Sequence, residues 1–193
     1  RDLKKIKTIG VEANKSSTPQ ACREALKEMF KLIISSDEAT VQAAVQQFKD
    51  HYFALRPDQI AFPRGANNIT GCIERRTYRN QAGEQVTTEF YKKGTPIHVR
   101  AALAYNWLRK DLDLKQYPEL RNGDKIKFLY LKEGKFKQNV IAFPDFLPKE
   151  FNLEQHIDKE LQFQKTFTDA IEPILNAIGW TSVKVNSLED FFG

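Results

Sequence analysis

The sequence predicts an α+β fold, a mainly helical domain with a small antiparallel β element in its middle. Three observations carry this reading. Apolar residues recur at helical spacing near residues 18–54 and 95–112. Two short runs of β-forming residues flank "RNQAGE", and a second such pair follows at 124–143. Beyond residue 150 the pattern turns helical again as far as Trp180. A chain of 193 residues suffices for one domain with appendages and a sizeable core.

The elements follow in order. "KSSTPQACREALKEMFKLIISS" opens with a helix-start signal. Ser17 or Thr18 is expected as cap, with Pro19 in the first turn. Cys22, Leu26, Met29 and Ile33 then share one face. A second helix is capped by Ser36 or Asp37, carries Val41, Val45, Phe48 and Tyr52, and ends before Pro57. The short link between the two favours an antiparallel helical hairpin. "IAFPRGANNITG" reads as an irregular loop. The hairpin around "RNQAGE" follows, and then a third helix with Thr95 as cap and Pro96 in its first turn. Its apolar stripe is Ile97, Ala101, Ala104, Tyr105 and Leu108. Ile126 and Phe128 alternate with lysines in the second β pair, and Asn139 to Phe143 is its partner. The last helical stretch is expected to be kinked or divided near Pro173 and ended by Gly179.

Charge is distributed unevenly. The net charge is +5, but residues 61–144 carry 16 Lys and Arg against 8 Asp and Glu, while residues 145–193 carry 4 against 9. A basic block is the usual footprint of a polyanion partner, and it is also compatible with an uneven solvated surface. No apolar run approaches the ~20 residues of a membrane helix, so no membrane partner is expected. Cys22 and Cys72 are far apart and suit a reducing, intracellular setting with free thiols. A chain that begins at Arg1 is expected to be a processed or excised piece.

No catalytic constellation stands out. His51, His98 and His156 lack metal-ligand spacing, and no phosphate-binding glycine loop is present. Asp111 and Asp113 form an Asp-x-Asp, which reads more simply as a solvated helix end beside Arg109, Lys110 and Lys115. Binding chemistry is better represented. Lys15, Ser16, Ser17 and Thr18 stand at a helix start, which suits a phosphate as well as a cap. Arg64, Asn67, Asn68, Lys92, Lys93, His98 and Arg100 lie near turns and another helix start, where Lys and Arg answer phosphates and Asn reaches groove edges. Arg75, Arg76 and Arg79 are expected to give the hairpin a basic face. The chain ends in "SLEDFFG", whose Leu188, Phe191 and Phe192 are unexpected at a terminus unless they fold back or meet a partner.

Taken in order, "IGVEANKSSTPQACREAL", "GANNI", "PIHVRAALAYN", "GDKIKFLYLKE", "NVIAFP", "FQKTF" and "SLEDFFG" resemble the C-terminal part of the family B DNA polymerases of T-even-type bacteriophages. The resemblance runs from about Ile9 to Gly193. It implies that residues 1–17 end the palm, 18–183 form the thumb and 184–193 are a tail that docks on the sliding clamp. It implies backbone contacts to primer–template duplex DNA from the segments Lys15–Pro19, Ala66–Asn68 and Pro96–Arg100, with Lys15, Ser16, Ser17, Asn67, Asn68, His98 and Arg100 as the contacting residues; Lys92 and Lys93 join them as candidates from their charge beside the turn, not from the resemblance. Leu188, Phe191 and Phe192 would dock on the clamp, although Val185 stands where the broader clamp motif has Gln. Gln20 replaces a Lys common after "SSTP" in that family, and the hairpin between Gly71 and Gly94 is longer and more basic, so its role is not carried over. The family's metal-binding and proofreading carboxylates have no counterpart here. The chain is therefore expected to be non-catalytic by itself and without cofactor, with Mg²⁺ belonging to the palm of a complete polymerase. Its partners would be duplex DNA, the clamp and the remaining palm, fingers and exonuclease domains, in the cytoplasm of an infected bacterial host. The rival expectations are a free-standing nucleic-acid-binding adaptor or accessory subunit of a split polymerase and, last, a nuclease using Asp111 and Asp113.

Overall fold

The computed structural model describes residues 13–133 and 138–185, and the described chain falls into two compact units. One joins the chain up to Phe62 with the segment from Lys159 onward; the other is Pro63–Asp158. Helices dominate and the sheets are small, so the class is α+β.

The first unit is helical. Helices α1 (Gln20–Ser35) and α2 (Glu38–Phe53) are joined by Ser36 and Asp37 alone. Asp37 is the cap of α2: its carboxylate accepts the Thr40 backbone N–H at 2.8 Å, and hydrogen bonding from the Thr40 side chain, then from its backbone, holds that carboxyl below the usual range. A one-turn helix α3 (Pro57–Ile60) follows. After the second unit the chain returns as α5 (Lys159–Phe163), a wide π turn (Gln164–Thr168) and α6 (Asp169–Ala177). The buried side chains include Cys22, Leu26, Met29, Val41, Val45, Tyr52, Phe167, Ile171 and Leu175. Ile33 and Phe48, expected on the same faces, are half-buried. Phe48, Tyr52, Phe163 and Phe167 form an aromatic cluster with centroids 4.7–6.0 Å apart. A buried polar chain threads it. The Tyr52 hydroxyl and Thr166 Oγ1 are 3.0 Å apart, Thr166 donates to the Gln162 carbonyl, and Gln162 Nε2 donates to the Ile60 carbonyl. Burial pushes the Cys22 thiol up to about 12, so it is a core residue and not a reactive one.

The second unit holds β1 (Phe62–Ala66), β2 (Ile73–Arg79), β3 (Gln85–Tyr91), α4 (Ile97–Asp111), β4 (Asp124–Tyr130) and β5 (Val140–Phe143). β2 and β3 form a two-stranded antiparallel ribbon, while β1, β4 and β5 form a three-stranded sheet in that order. β4 and β5 pair antiparallel, with Lys127 opposite Phe143 and Tyr130 opposite Val140. All four residues of β5 are buried, as are Ile126, Phe128 and Leu129 of β4. Helix α4 packs on this pair with Val99 and Ala101–Tyr105 buried. Its small alanines allow close approach over a strand whose every side chain is covered.

Three local expectations are corrected. The stretch read as an irregular loop contains strand β1. Pro63 is tolerated there because β1 lies at a sheet edge, where only alternate N–H groups have a neighbouring strand to bond. The break in the last helical stretch lies at the π turn, one turn before Pro173. A proline crowds the carbonyl four residues back, here Asp169, and the wide turn ends next to it. Residues 149–156 form two 3₁₀ turns, not a helix. Asn152 takes left-handed backbone at φ 52° and Ile157 bridges to Leu131.

Phe167→Ala, which empties the centre of the aromatic cluster, is expected to cost about 3–5 kcal/mol in urea unfolding. Phe146→Ala, at a side chain 67% exposed, should stay within about 0.5 kcal/mol.

Candidate nucleic-acid interface

The expected DNA-contacting residues are distributed over both units, and each group is a local construction. In the first unit, Lys15–Thr18 form a turn closed by the Thr18 N–H on the Lys15 carbonyl at 3.1 Å. Lys15 and Ser16 are exposed, Ser17 is half-buried, and Thr18 is buried. Neither Ser17 nor Thr18 caps α1. Pro19 occupies the cap position with extended backbone (ψ 140°), no side chain caps the helix, and its first turn holds no acidic residue. The hydroxyls sit too early in the chain to reach the second and third amides. Arg23, one turn in, has a buried Nε without a hydrogen-bond partner.

The second unit repeats this arrangement. The Thr95 N–H bonds the Lys92 carbonyl at 3.2 Å, and the Thr95 hydroxyl turns back onto the same carbonyl instead of capping α4. Pro96 is the cap residue (ψ 147°), again with no side-chain cap and no acid in the first turn. Both helices thus begin with Lys-x-x-Thr-Pro, at Lys15–Pro19 and Lys92–Pro96. Side-by-side reading of the two helix starts would have revealed this repeat. An uncapped, acid-free helix start presents partial positive charge and unmet N–H groups, and a lysine lies on the turn leading in.

Around the second start stand His98 and Arg100, both half-buried, with exposed Lys92 and Lys93. Burial and the nearby Arg64 guanidinium hold the His98 imidazole below the ordinary histidine range. It is therefore neutral near pH 7, and an approaching anion would draw a proton onto it. The Arg100 guanidinium lies 5.4 Å from the Tyr91 ring centroid, and its buried Nε has no hydrogen-bond partner.

Asn67 and Asn68 are exposed on the link after β1. Asn68 has left-handed backbone (φ 57°), and its side chain lies against Gly71, where a methyl group would come within 2.6 Å of the Asn68 Cγ. Sequence reading missed the residue that positions this link. Asn122 Oδ1 accepts the Ile69 N–H at 2.6 Å and the Thr70 N–H at 3.3 Å, and Asn122 Nδ2 donates to Thr70 Oγ1 at 3.0 Å. The Gly123 N–H closes the far side on the Ala66 carbonyl at 2.8 Å. Only the Asn-Gly pair at 122–123 hinted at a turn, and nothing in it pointed 52 residues upstream.

Asp111 ends α4, and Asp113 lies in left-handed backbone 3.5 Å from Lys115. Among the described residues no group of His, Cys, Asp or Glu is arranged to hold a metal ion, and no helix is long and apolar enough to cross a membrane. Leu188, Phe191 and Phe192 lie outside the described residues, as do residues 1–12 of the expected palm end.

No protein-family model matches the chain. It is similar to the DNA-directed DNA polymerase of Enterobacteria phage T4, with 29% identity over 198 residues. It is also similar to that of Escherichia phage RB69, with 28% identity over 194 residues. Each match takes in 97% of this chain and 20% of the relative. The chain thus spans about a fifth of the length of the curated relatives it matches, and its similarity is to a partial region of a T-even phage polymerase.

Two outcomes follow from this geometry. Asn122→Ala removes the acceptor of two backbone N–H groups and should cost about 1–3 kcal/mol, with faster hydrogen exchange at Ile69 and Thr70. For His98, the folded chain holds the imidazole neutral more strongly than the unfolded chain does. Its contribution to stability is therefore present above the unfolded value of ~6.5 and is lost as pH falls through the depressed folded value. Denaturation midpoints over that window should fall less steeply in His98→Gln.

Proposed function

We propose that this chain is the thumb and clamp-docking tail of a phage replicative DNA-directed DNA polymerase, gripping the primer–template duplex through its sugar–phosphate backbone. In this reading residues 1–17 close the palm, 18–183 are the thumb and 184–193 are the tail. The observation that carries the duplex grip is the pair of Lys-x-x-Thr-Pro helix starts, uncapped and free of acidic residues. Each offers a phosphate a helix N-terminus and a lysine, and the first adds the exposed Ser16, which is sequence-independent chemistry. The similarity to a region of two T4-type phage polymerases supports the polymerase context.

Each residue then has a role. Lys15, Ser16 and Ser17 meet one phosphate. Lys92, Lys93 and Arg100 each meet a further phosphate, with His98 taking up a proton as the anion arrives. Asn67 and Asn68, presented by the link that Asn122 holds, reach the groove edge. The nucleotidyl transfer and its Mg²⁺ belong to the rest of the polymerase, and the setting is the cytoplasm of the infected host. In the tail, Leu188, Phe191 and Phe192 supply apolar anchors for a pocket on the sliding clamp.

Fluorescence anisotropy with a labelled primer–template duplex tests this. With about four phosphates neutralised, the affinity should fall with salt at a log–log slope of about −3.6. Lys15→Ala and Lys92→Ala should each flatten that slope by about 0.9. Lowering the pH from about 7.5 to 6 should tighten binding in the parent and less so in His98→Gln. Replacing Phe191 and Phe192 by Ala should abolish binding to the sliding clamp of a T4-type phage and leave duplex affinity unchanged. Absence of duplex binding at low salt sinks the grip; a double variant that still docks normally sinks the tail assignment.

A further inference from the structure

The β2–β3 ribbon has two faces of different chemistry, and the backbone register assigns every residue to one. Ile73, Arg75, Thr77 and Arg79 lie opposite Tyr91, Glu89, Thr87 and Gln85. That face is engaged within the unit: Arg75 pairs with Glu89 at 3.2 Å, the Trp107 indole N–H donates to Glu89 Oε2 at 3.1 Å, and Arg100 lies over Tyr91. The other face pairs Glu74 with Phe90, Arg76 with Thr88 and Tyr78 with Val86, so the strand's alternation puts Arg76 on the opposite face to Arg75 and Arg79 and the single basic face expected of the three does not form. The ladder runs one residue further, since the Lys92 N–H bonds the Cys72 carbonyl at 2.8 Å, which puts Lys92 on this second face. Here Tyr78 is 53% and Phe90 41% exposed. The Arg76 guanidinium lies 5.1 Å from the Phe90 centroid, held there by Glu74 at 2.9 Å.

We propose that this second face of the ribbon is a stacking platform for single-stranded nucleic acid, with Tyr78 and Phe90 receiving unpaired bases and Lys92 and Arg76 meeting the connecting phosphates. The interleaving of charge and ring decides the occupant. An apolar protein surface, or a second copy of this chain, would have to desolvate Lys92 and the Arg76–Glu74 pair to reach the rings, at a cost not recovered without matched partners. A polyanion meets those cations instead. Only unpaired bases expose the π faces that a ring can stack on, so the strand is single. Tyr78 and Phe90 stand four register positions apart, about 13 Å along the ribbon, which leaves room for more than one nucleotide. The proposal goes beyond the duplex grip and does not rest on it: only Lys92 is common to both, and Tyr78, Phe90 and Arg76 belong to this face alone.

The test is anisotropy with a labelled oligothymidylate of about 16 nucleotides, run beside the labelled duplex. Tyr78→Ala and Phe90→Ala, both at exposed positions, should each weaken single-strand binding at least about fivefold. Tyr78→Phe, which keeps the ring and loses the hydroxyl, should retain it. Duplex affinity should stay within about twofold in all three. Unchanged single-strand affinity in both alanine variants overturns the proposal. Equal losses on duplex and single strand overturn it in favour of a ribbon that is part of the duplex grip. Sedimentation showing a parent dimer that the alanine variants dissociate overturns it in favour of self-association. Failure of duplex binding with single-strand binding intact counts against the duplex grip alone.

Discussion

The first unit is closed by contacts between residues about a hundred positions apart. Its two chain pieces flank Pro63–Asp158, so α1 and α2 have no finished core until α5 and α6 return. The contact between the Tyr52 hydroxyl and Thr166, with Gln162 on the Ile60 carbonyl, spans that separation inside the aromatic cluster. Apolar burial supplies most of the driving force, but it is tolerant of register. The buried hydroxyls and amide are not tolerant, since each must find its partner or forfeit a hydrogen bond in a dry interior. This polar chain selects one docking of the returning helices, and the π turn that carries Thr166 is part of that selection.

A second constraint is electrostatic. Both long helices that open on a proline do so without a capping side chain and without an acidic residue in the first turn. Helix starts normally recruit Ser, Thr, Asp or Asn to the cap, and the contrast lies within the same chain: α2 has Asp37 in place and Glu38 behind it. An uncapped start forgoes roughly a kilocalorie of capping stability. What it retains is a set of N–H groups and partial charge available to an anion. In the second unit His98 and Arg100 stand half-buried beside such a start.

The ribbon illustrates how a strand pair divides its roles. A two-stranded sheet is marginal alone. One face here is stabilised by Glu89, which takes both the Arg75 guanidinium and the Trp107 indole. That anchoring leaves the other face to present rings and cations that a core would have hidden. The Gly71–Asn68 contact and the Asn122 clamp act likewise for the link before the ribbon, where backbone geometry alone would leave the asparagines free to wander.

Period, caps and turn residues along the chain determined most of the architecture. The helical faces through Cys22, Leu26 and Met29 and through Val41, Val45 and Tyr52 are buried as the spacing required. The hairpin around "RNQAGE" and the pairing of 124–130 with 140–143 formed where β-forming residues met turn signals. These are local rules, enforced by atoms a few residues apart. Strand β1 was illegible because its proline argues against a strand unless the strand is at a sheet edge, and edge position is a tertiary fact. Capping by Thr18 and Thr95 failed because each proline moves the helix start one residue on, which a residue-type rule does not register. The candidate site divides the same way. The basic and hydroxyl residues at Lys15–Thr18 and Lys92–Arg100 were visible as composition beside a helix start. Arg64 lowering His98, Asn122 holding Ile69 and Thr70, and the exposure of Tyr78 and Phe90 on one side of the ribbon were not. Those depend on through-space distance and on which face is covered, and only the folded chain decides either.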